Sequence, residues 1–332
     1  MSKQPKILFV HSGNESFVSL DREILKEFSN VKDLFVLRKF PAGFSQYLRG
    51  VKEADIVFCW FASWNSFWAI LVARLYKKPS VLIVGGYDVA DLPEAGYGHQ
   101  RGGIMKLVSR GAMKMATTLL PFSIYSRQEA ENIAGISNKL TEVVYLGVPD
   151  PFGSLPEIPK ARLVLSVGKV DWPNLKRKGL EPFIQVAKLL PDMKFVLVGE
   201  WADNSIDHLR SIASSNVIFT GRVSNEELLD YFRQASVYVQ ASLHEGFGLS
   251  VAESMLAGCI PVVTRAGSLP EVVGDCGIYF DVDDLQSLYQ GIQRGLSSNN
   301  NFRIQVRERI LTSYPIEKRR MHLLNLISGH LH

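Results

Sequence analysis

The stretch Ser242-Leu243-His244-Glu245-Gly246-Phe247-Gly248-Leu249-Ser250-Val251-Ala252-Glu253 brings two carboxylates, two glycines and a helix start together. It follows the apolar run Val237 to Gln240 and enters a helical pattern, Leu249 to Ala257, so it reads as the turn at the carboxyl end of a parallel strand. Ligands bind at that edge in open α/β sheets. Gly246 and Gly248 would let a ligand approach the backbone. The free N–H groups of Leu249, Ser250 and Val251 would start a helix whose positive end attracts phosphate. Glu253, one turn further, can accept two hydrogen bonds, as a vicinal ribose diol requires. Glu245 could bond the part of a ligand beyond its phosphates. Taken alone, a glycine-rich turn with Glu253 as a dipole partner explains the stretch equally well.

A second cluster tips the balance. The strand pattern Leu163 to Val167 ends in Gly168-Lys169, and after a loop from Val170 to Leu175 comes Lys176-Arg177-Lys178-Gly179. This delivers cations to the same sheet edge, where they would stabilise charge growing on a diphosphate as its bond to a sugar breaks. Lys169 and Lys178 are the expected participants; Lys176 and Arg177 read as solvated surface.

These residues need a scaffold, and the pattern of the chain supplies one. The first half opens β-loop-α, with Lys6 to Val10, the turn His11-Ser12-Gly13-Asn14 and a helical segment through Phe28. Further strand candidates are Asp33 to Leu37, Ile56 to Trp60, Val81 to Val84, Thr118 to Pro121 and Glu142 to Tyr145. The apolar stretch Val57 to Ala73 is too interrupted for a membrane span and fits a buried strand followed by a buried helix. Prolines 149, 151, 156 and 159 stop the pattern, which places an interdomain linker there. The second half repeats the alternation, with strands at Leu163 to Val167, Lys194 to Val198, Val217 to Thr220, Val237 to Gln240, Ile260 to Val263 and Gly277 to Phe280. Phe302 to Ile327 reads as a closing helical segment. The expectation is α/β, with two Rossmann-like doubly wound domains at 1–150 and 151–332 and a ligand cleft between them. Neither half has G-x-G-x-x-G after its first strand, so no redox dinucleotide is indicated.

A chain of 332 residues with 46% hydrophobic and 21% charged residues is neither disordered nor fibrous. Cys59, Cys259 and Cys276, an odd number without metal spacing, point to a reducing compartment, and the short apolar run at Ile7 is no signal-peptide core. A cytoplasmic location follows as the expectation. The formal charge of +4 lies wholly in the first half, which has eighteen Lys and Arg against fourteen Asp and Glu. There Arg101, Lys106, Arg110 and Lys114 recur among Ile104, Leu107, Val108 and Met113. Residues 101–114 could thus contact an anionic membrane surface, or form an ordinary solvated helix face. Nucleic acid is not expected, since no basic run with interleaved aromatics occurs.

At Glu245-Gly246-Phe247-Gly248-Leu249 through Glu253, the Gly168-Lys169 and Lys178-Gly179 pair, Ala257 to Val263 and Gly267 to Val273, the sequence resembles the retaining nucleotide-sugar glycosyltransferases of family 4, of GT-B fold. The resemblance runs from about Val167 to Asp284. It implies that Lys169 and Lys178 contact the donor phosphates and that Glu253 binds the ribose. Glu245 would lie by the donor sugar, the amides of Gly246, Phe247, Gly248 and Leu249 would hold the distal phosphate, and Thr220-Gly221-Arg222-Val223 would meet the nucleobase. Gly168 and Gly13, the latter on the first glycine-containing loop, would face the donor. Where the family commonly has a catalytic-site His, this chain has Gly85-Gly86-Tyr87-Asp88, so Asp88, or less readily His11 or His99, would take part of that role.

The resemblance implies front-side displacement with retention, and a nucleoside-diphosphate sugar as co-substrate. The acceptor would be a glycan, a lipid-linked sugar or a small molecule. Asp281-Val282-Asp283-Asp284 has the look of a metal motif, but it precedes a helical pattern and reads as an acidic N-cap, so no metal is expected. Two rivals remain: a nucleotide-sugar 2-epimerase of the same fold and a non-catalytic nucleotide-sugar-binding protein.

Overall fold

The computed structural model describes residues 4–13, 15–35, 43–136, 141–153 and 160–331. Two parallel sheets organise it. The first contains β1 (Lys6–Val10), β2 (Asn30–Leu34), β3 (Ile56–Trp60), β4 (Ser80–Val84) and β5 (Thr118–Pro121) in the order β2-β1-β3-β4-β5. The second contains β6 (Ala161–Val167), β7 (Lys194–Val198), β8 (Val217–Gly221), β9 (Ala235–Gln240), β10 (Ile260–Val263) and β11 (Ile278–Tyr279), ordered β11-β10-β9-β6-β7-β8. Every residue of β3, β4, β5, β9 and β10 is buried. Such unbroken buried runs belong to parallel strands covered by helices on both faces. In each sheet the order reverses next to the first strand of its unit, and ligand crevices form at such switch points.

The helix starts are written in short polar side chains. Ser63, Ser123, Ser224, Asp284 and Asn299 each accept a backbone N–H of the first turn, and Ser224 forms a reciprocal capping box with Glu227. Each cap contributes about 1 kcal/mol. Asp284 thus caps Leu285–Leu296, as the sequence indicates, and among the described residues no acidic or His/Cys cluster could hold a metal.

Several sequence expectations are corrected. The second strand is Asn30–Leu34, three residues earlier than Asp33 to Leu37, because its partner β1 pairs Lys6 with Asn30 through Val10 with Leu34. Of the expected strand, residues 36 and 37 lie outside the described residues, as do Asn14, Pro156 and Pro159. Glu142 to Tyr145 is no strand: only Thr141 forms an isolated bridge, to Leu119. The loop Val170 to Leu175 contains a helix, Trp172–Arg177, capped by Asp171 and admitting Pro173 in its first turn.

The closing segment is two helices, Asn300–Ser313 and Ile316–Gly329, interrupted at Tyr314-Pro315. The first stays with the second sheet; the second returns to the first. One unit comprises Met1–Pro93, Tyr97–Gly147 and Ile316–His332, and the other Glu94–Gly96 and Val148–Pro315. The expected division at 150, with everything beyond it in the second domain, is corrected accordingly. The physical reason is Arg319, whose guanidinium forms a fully buried bidentate pair with Asp21, both arms at 2.6 Å, and donates to the carbonyls of Val144 and Tyr145.

Candidate functional site

The site develops in the second unit at the carboxyl ends of β6, β9 and β10. After β9, Ser242 and Glu245 turn back toward the strand, and Gly248, in the left-handed region at φ +88°, starts the helix Leu249–Leu256. No side chain caps that start. Its first-turn N–H groups lack intrahelical partners by geometry and carry the positive end of the dipole.

Two glycines permit the packing of this loop. A Cβ on Gly179 would lie 2.1 Å from the Ala241 carbonyl oxygen, and one on Gly267 would lie 2.4 Å from the Glu245 carbonyl oxygen. Both also take positive φ, +62° and +61°, which L side chains avoid. The strand-end loops are then stitched together by backbone: Leu243 N–H donates to the Arg177 carbonyl at 2.8 Å, and Ser268 N–H donates to the Glu245 carbonyl at 2.9 Å.

At the centre is the Glu245 carboxylate. Its Oε1 accepts from Lys178 Nζ at 3.0 Å, Gln240 Nε2 at 2.9 Å and Ser242 Oγ at 3.0 Å, and Arg177 Nη1 lies 3.9 Å away. Burial alone would raise its pKa, but the charge of Lys178, then of Arg177, with hydrogen bonds from Lys178 and Ser242, holds it at about 2. Glu245 is therefore a permanent anion, suited to stabilising positive charge on a reacting sugar carbon and unsuited to donating a proton.

Glu253 is its opposite. Desolvation, with no compensating cation, pushes its carboxyl up to about 7. A group that is costly to ionise gains most from hydroxyls that donate to it.

Lys178 spends one of its three donors on Glu245, and its stem lies against Gly168, where a Cβ would come within 2.9 Å of Lys178 Cδ. Lys169 is more exposed and pairs loosely with Asp171 at 3.4 Å, so a phosphate would compete with that carboxylate. Arg222 and Val223 follow β8 at the far side of the sheet; Arg222 is exposed and Val223 half-buried. Phe247 is buried edge-on against Tyr314, with centroids 5.3 Å apart, so its ring is taken up in packing. A cavity of about 470 Å³ borders the same loops through Gly179, Ala241 and Leu243, but it is not lined by Lys178, Glu245 or Glu253.

Arg177 corrects the sequence reading. It is buried, not solvated: Nε and Nη2 clasp Asn174 Oδ1 at 3.0 and 2.7 Å, and Nη1 donates to the His244 carbonyl. The Asn174 to Arg177 spacing on a helix was the available signal. Gln240 and Ser242 were also missed as site residues, because a strand-end Gln and a loop Ser are unremarkable until the fold turns both onto one carboxylate.

In the first unit, Asp88 has a different task from the one expected. It is buried and accepts N–H bonds from Ala62 at 3.0 Å, Gly85 at 3.2 Å and Gly86 at 3.0 Å. Its carboxylate ties the β3 and β4 loops together, so within this unit it serves as a loop anchor. Gly13 follows β1, and its carbonyl meets His11 Nδ1 at 2.7 Å. His99 packs edge-on to Tyr87 at 4.7 Å, and desolvation lowers its pKa.

The pair of parallel-sheet units, each with a reversal of strand order next to its first strand, is the architecture of the GT-B glycosyltransferases. Anabaena HepE, solved with UDP and glucose, superposes with a TM-score of 0.79 over 98% of this chain and all of its own, at 16% identity. Sucrose-phosphate synthase from Thermosynechococcus elongatus gives 0.76, covering 98% of both chains at 16% identity. At that identity the likeness speaks for the fold. Residues 161–298, which hold Lys169, Lys178, Glu245 and Glu253, match the family model of glycosyl transferases group 1, so the resemblance drawn from the motifs holds over that segment at the level of glycosyltransferases.

O-antigen chain mannosyltransferase B of Escherichia coli is 31% identical over 133 residues, 37% of this chain and 35% of its own length. MMP alpha-(1->4)-mannosyltransferase of Mycolicibacterium hassiacum is 28% identical over 191 residues, 56% of this chain and 46% of its own. The chain thus spans less than half the length of these curated relatives.

Proposed function

We propose that the protein is a cytoplasmic, retaining glycosyltransferase. It moves a sugar from a nucleoside-diphosphate sugar, held by the second unit, to an acceptor hydroxyl without a metal ion. The observation that carries this reading is the Lys178–Glu245 pair at the loop that opens the helix Leu249–Leu256. A diphosphate needs a helix end and lysine donors, and a departing sugar needs a fixed anion. The site supplies all of these within one folded unit. The names of the relatives make mannose the first sugar to try and support a glycan acceptor.

A thermal-melting panel of UDP, GDP, ADP, CDP and dTDP and their sugar conjugates tests the donor, because a ligand bound only by the folded state raises the midpoint. One nucleotide class should shift the wild type by several degrees and shift Lys169→Ala and Lys178→Ala less. Glu245→Gln should keep the shift while turnover of that donor falls about 100-fold, the scale of losing one electrostatic stabiliser. Activity should survive chelator. A wild type that no nucleotide shifts, or activity abolished by chelation, would overturn the reading.

For the acceptor side we propose the first unit, with peripheral contact to an anionic membrane. No helix among the described residues is long and apolar enough to cross one. The helix Gly103–Met115 exposes Ile104 and Leu107, and Lys114 is exposed with them. Arg110 is not available: it donates to Gln100 at 2.9 Å and to the Ile133 carbonyl at 2.6 Å. In a sedimentation assay with vesicles containing anionic lipid, Ile104→Asp/Leu107→Asp and Lys106→Glu/Lys114→Glu should each release the protein. Unchanged pelleting of both would remove the membrane from the proposal.

A further inference from the structure

Glutamine rarely sits in the middle of a buried sheet, and when it does its amide must be fully bonded. Gln240 ends β9 with 3% of its surface exposed. Its Nε2 donates to Ser242 Oγ at 2.7 Å and to Glu245 Oε1 at 2.9 Å, which uses both amide hydrogens. Its Oε1 accepts from the hydroxyl of Tyr238, two residues earlier on the same face of the strand and fully buried, at 2.9 Å.

The chemistry of the three groups sets the direction of the chain. Were the Gln240 amide turned over, its carbonyl oxygen would face the Glu245 carboxylate, acceptor against acceptor. The phenol donating from the other end holds it the right way round. Ser242 adds a parallel branch, accepting from Gln240 and donating to Glu245. The hydrogen bonds and ion pairs to the Glu245 carboxylate described above all end on Oε1.

We infer that Tyr238 and Gln240 are positioning residues for Glu245: with Ser242 they form a buried hydrogen-bonded chain that holds its carboxylate in one orientation and presents Oε2 to the ligand. The inference rests on the proposed function for the nature of the ligand, and on the hydrogen bonds alone for the chain. Lys178 and Arg177 set the charge of Glu245. Being a flexible ammonium and a guanidinium 3.9 Å away, they do not fix its rotation as an amide locked at both ends does. The ligand-facing geometry of the site is thus built from inside the sheet, through a residue that need not touch substrate.

The test uses Gln240→Met, which keeps the length of the side chain and removes its hydrogen bonds, together with Tyr238→Phe and the double variant. With the donor identified, Gln240→Met should lower kcat 10- to 100-fold while KM for the donor stays within twofold and the melting shift from nucleoside diphosphate is retained. Tyr238→Phe should lower kcat less, and the double variant should match Gln240→Met, because the residues act in series. A residue needed only for folding would lose nucleotide binding and kcat together. That result, or an unchanged kcat, would overturn the inference.

A second readout needs no turnover. In the wild type, the side-chain NH2 of Gln240 should be protected from solvent exchange in 1H–15N spectra, and its signals should move in Glu245→Gln and in Tyr238→Phe. Rapid exchange, or signals indifferent to both variants, would overturn the chain even if the protein proves to be a glycosyltransferase. A wild type that turns over no donor would overturn the transferase reading and leave the amide signals to decide this one.

Discussion

Glu245 and Glu253 lie eight positions apart in the sequence and are driven to opposite protonation behaviour by their neighbours. Lys178 keeps Glu245 an anion throughout the physiological range, whereas uncompensated burial holds Glu253 neutral until about pH 7. For Glu253 the unfolded chain ionises near 4.5 and the folded one near 7, so the folded state binds the extra proton between those values. Stability from this residue is complete below 4.5 and is lost as pH rises through 7, by up to about 3 kcal/mol. Glu253→Gln should therefore raise the melting temperature at pH 8 and leave it unchanged at pH 4.5, as read by calorimetry at the two values. Nucleotide binding should show the converse. Ribose hydroxyls donate to the ionised form, so wild-type affinity should increase as pH rises through 7 and become flat in the variant. A wild-type affinity that ignores this window would remove Glu253 from the ribose.

At the scale of elements, the site is a consequence of how closely three strand-end loops can approach. Gly179 and Gly267 are the points of closest contact, each facing backbone of the neighbouring loop, and backbone cannot rotate away as a flexible side chain can. Gly179→Ala should cost about 2 kcal/mol or more, from the positive φ and the clash with the Ala241 carbonyl. Urea denaturation would measure that cost, and turnover should fall further than stability, since Lys178 is the residue before the displaced glycine. Gly103→Ala is a useful comparison: its φ is +70° but a Cβ there would meet nothing, so only the conformational part of the cost should appear. The same loops explain Arg177, whose guanidinium and carbonyl both brace the Glu245 loop from the end of a short helix.

On the scale of the whole molecule, the chain crosses from the first unit to the second near residue 147 and returns near 316. The return is secured by Arg319, buried with Asp21 and also facing the Trp60 ring at 5.7 Å. Removing one partner leaves a buried charge unpaired, which typically costs 3–5 kcal/mol, about the scale at which a domain of this size is held together. Arg319→Met and Asp21→Asn should each lower the unfolding midpoint of the first unit by several degrees. Asp21→Asn/Arg319→Met should be less destabilised than the sum of the two single variants, because the double change leaves no orphaned charge. Additive losses would mean that the pair does not act as one unit.

How much of this was legible beforehand follows from the range of the interactions involved. The strand and helix alternation, the acidic cap at Asp284 and the motif carrying Glu245, Gly248 and Glu253 are local patterns. Apolar periodicity, capping chemistry and glycine placement act over a few residues, so the amino-acid sequence by itself determined the α/β class and the position of the loop between β9 and its helix. What only the tertiary structure decided are contacts between segments far apart in the chain. These are the burial of Arg177 against the His244 carbonyl, the arrival of Lys178 at the Glu245 carboxylate, the hydrogen bond from the Ala62 N–H to Asp88, and the return of Arg319 to Asp21 across 298 positions. A charged or polar residue carries no local mark of whether it will meet water or a buried partner. Its environment is set by desolvation and by the geometry of whichever distant backbone the fold brings against it.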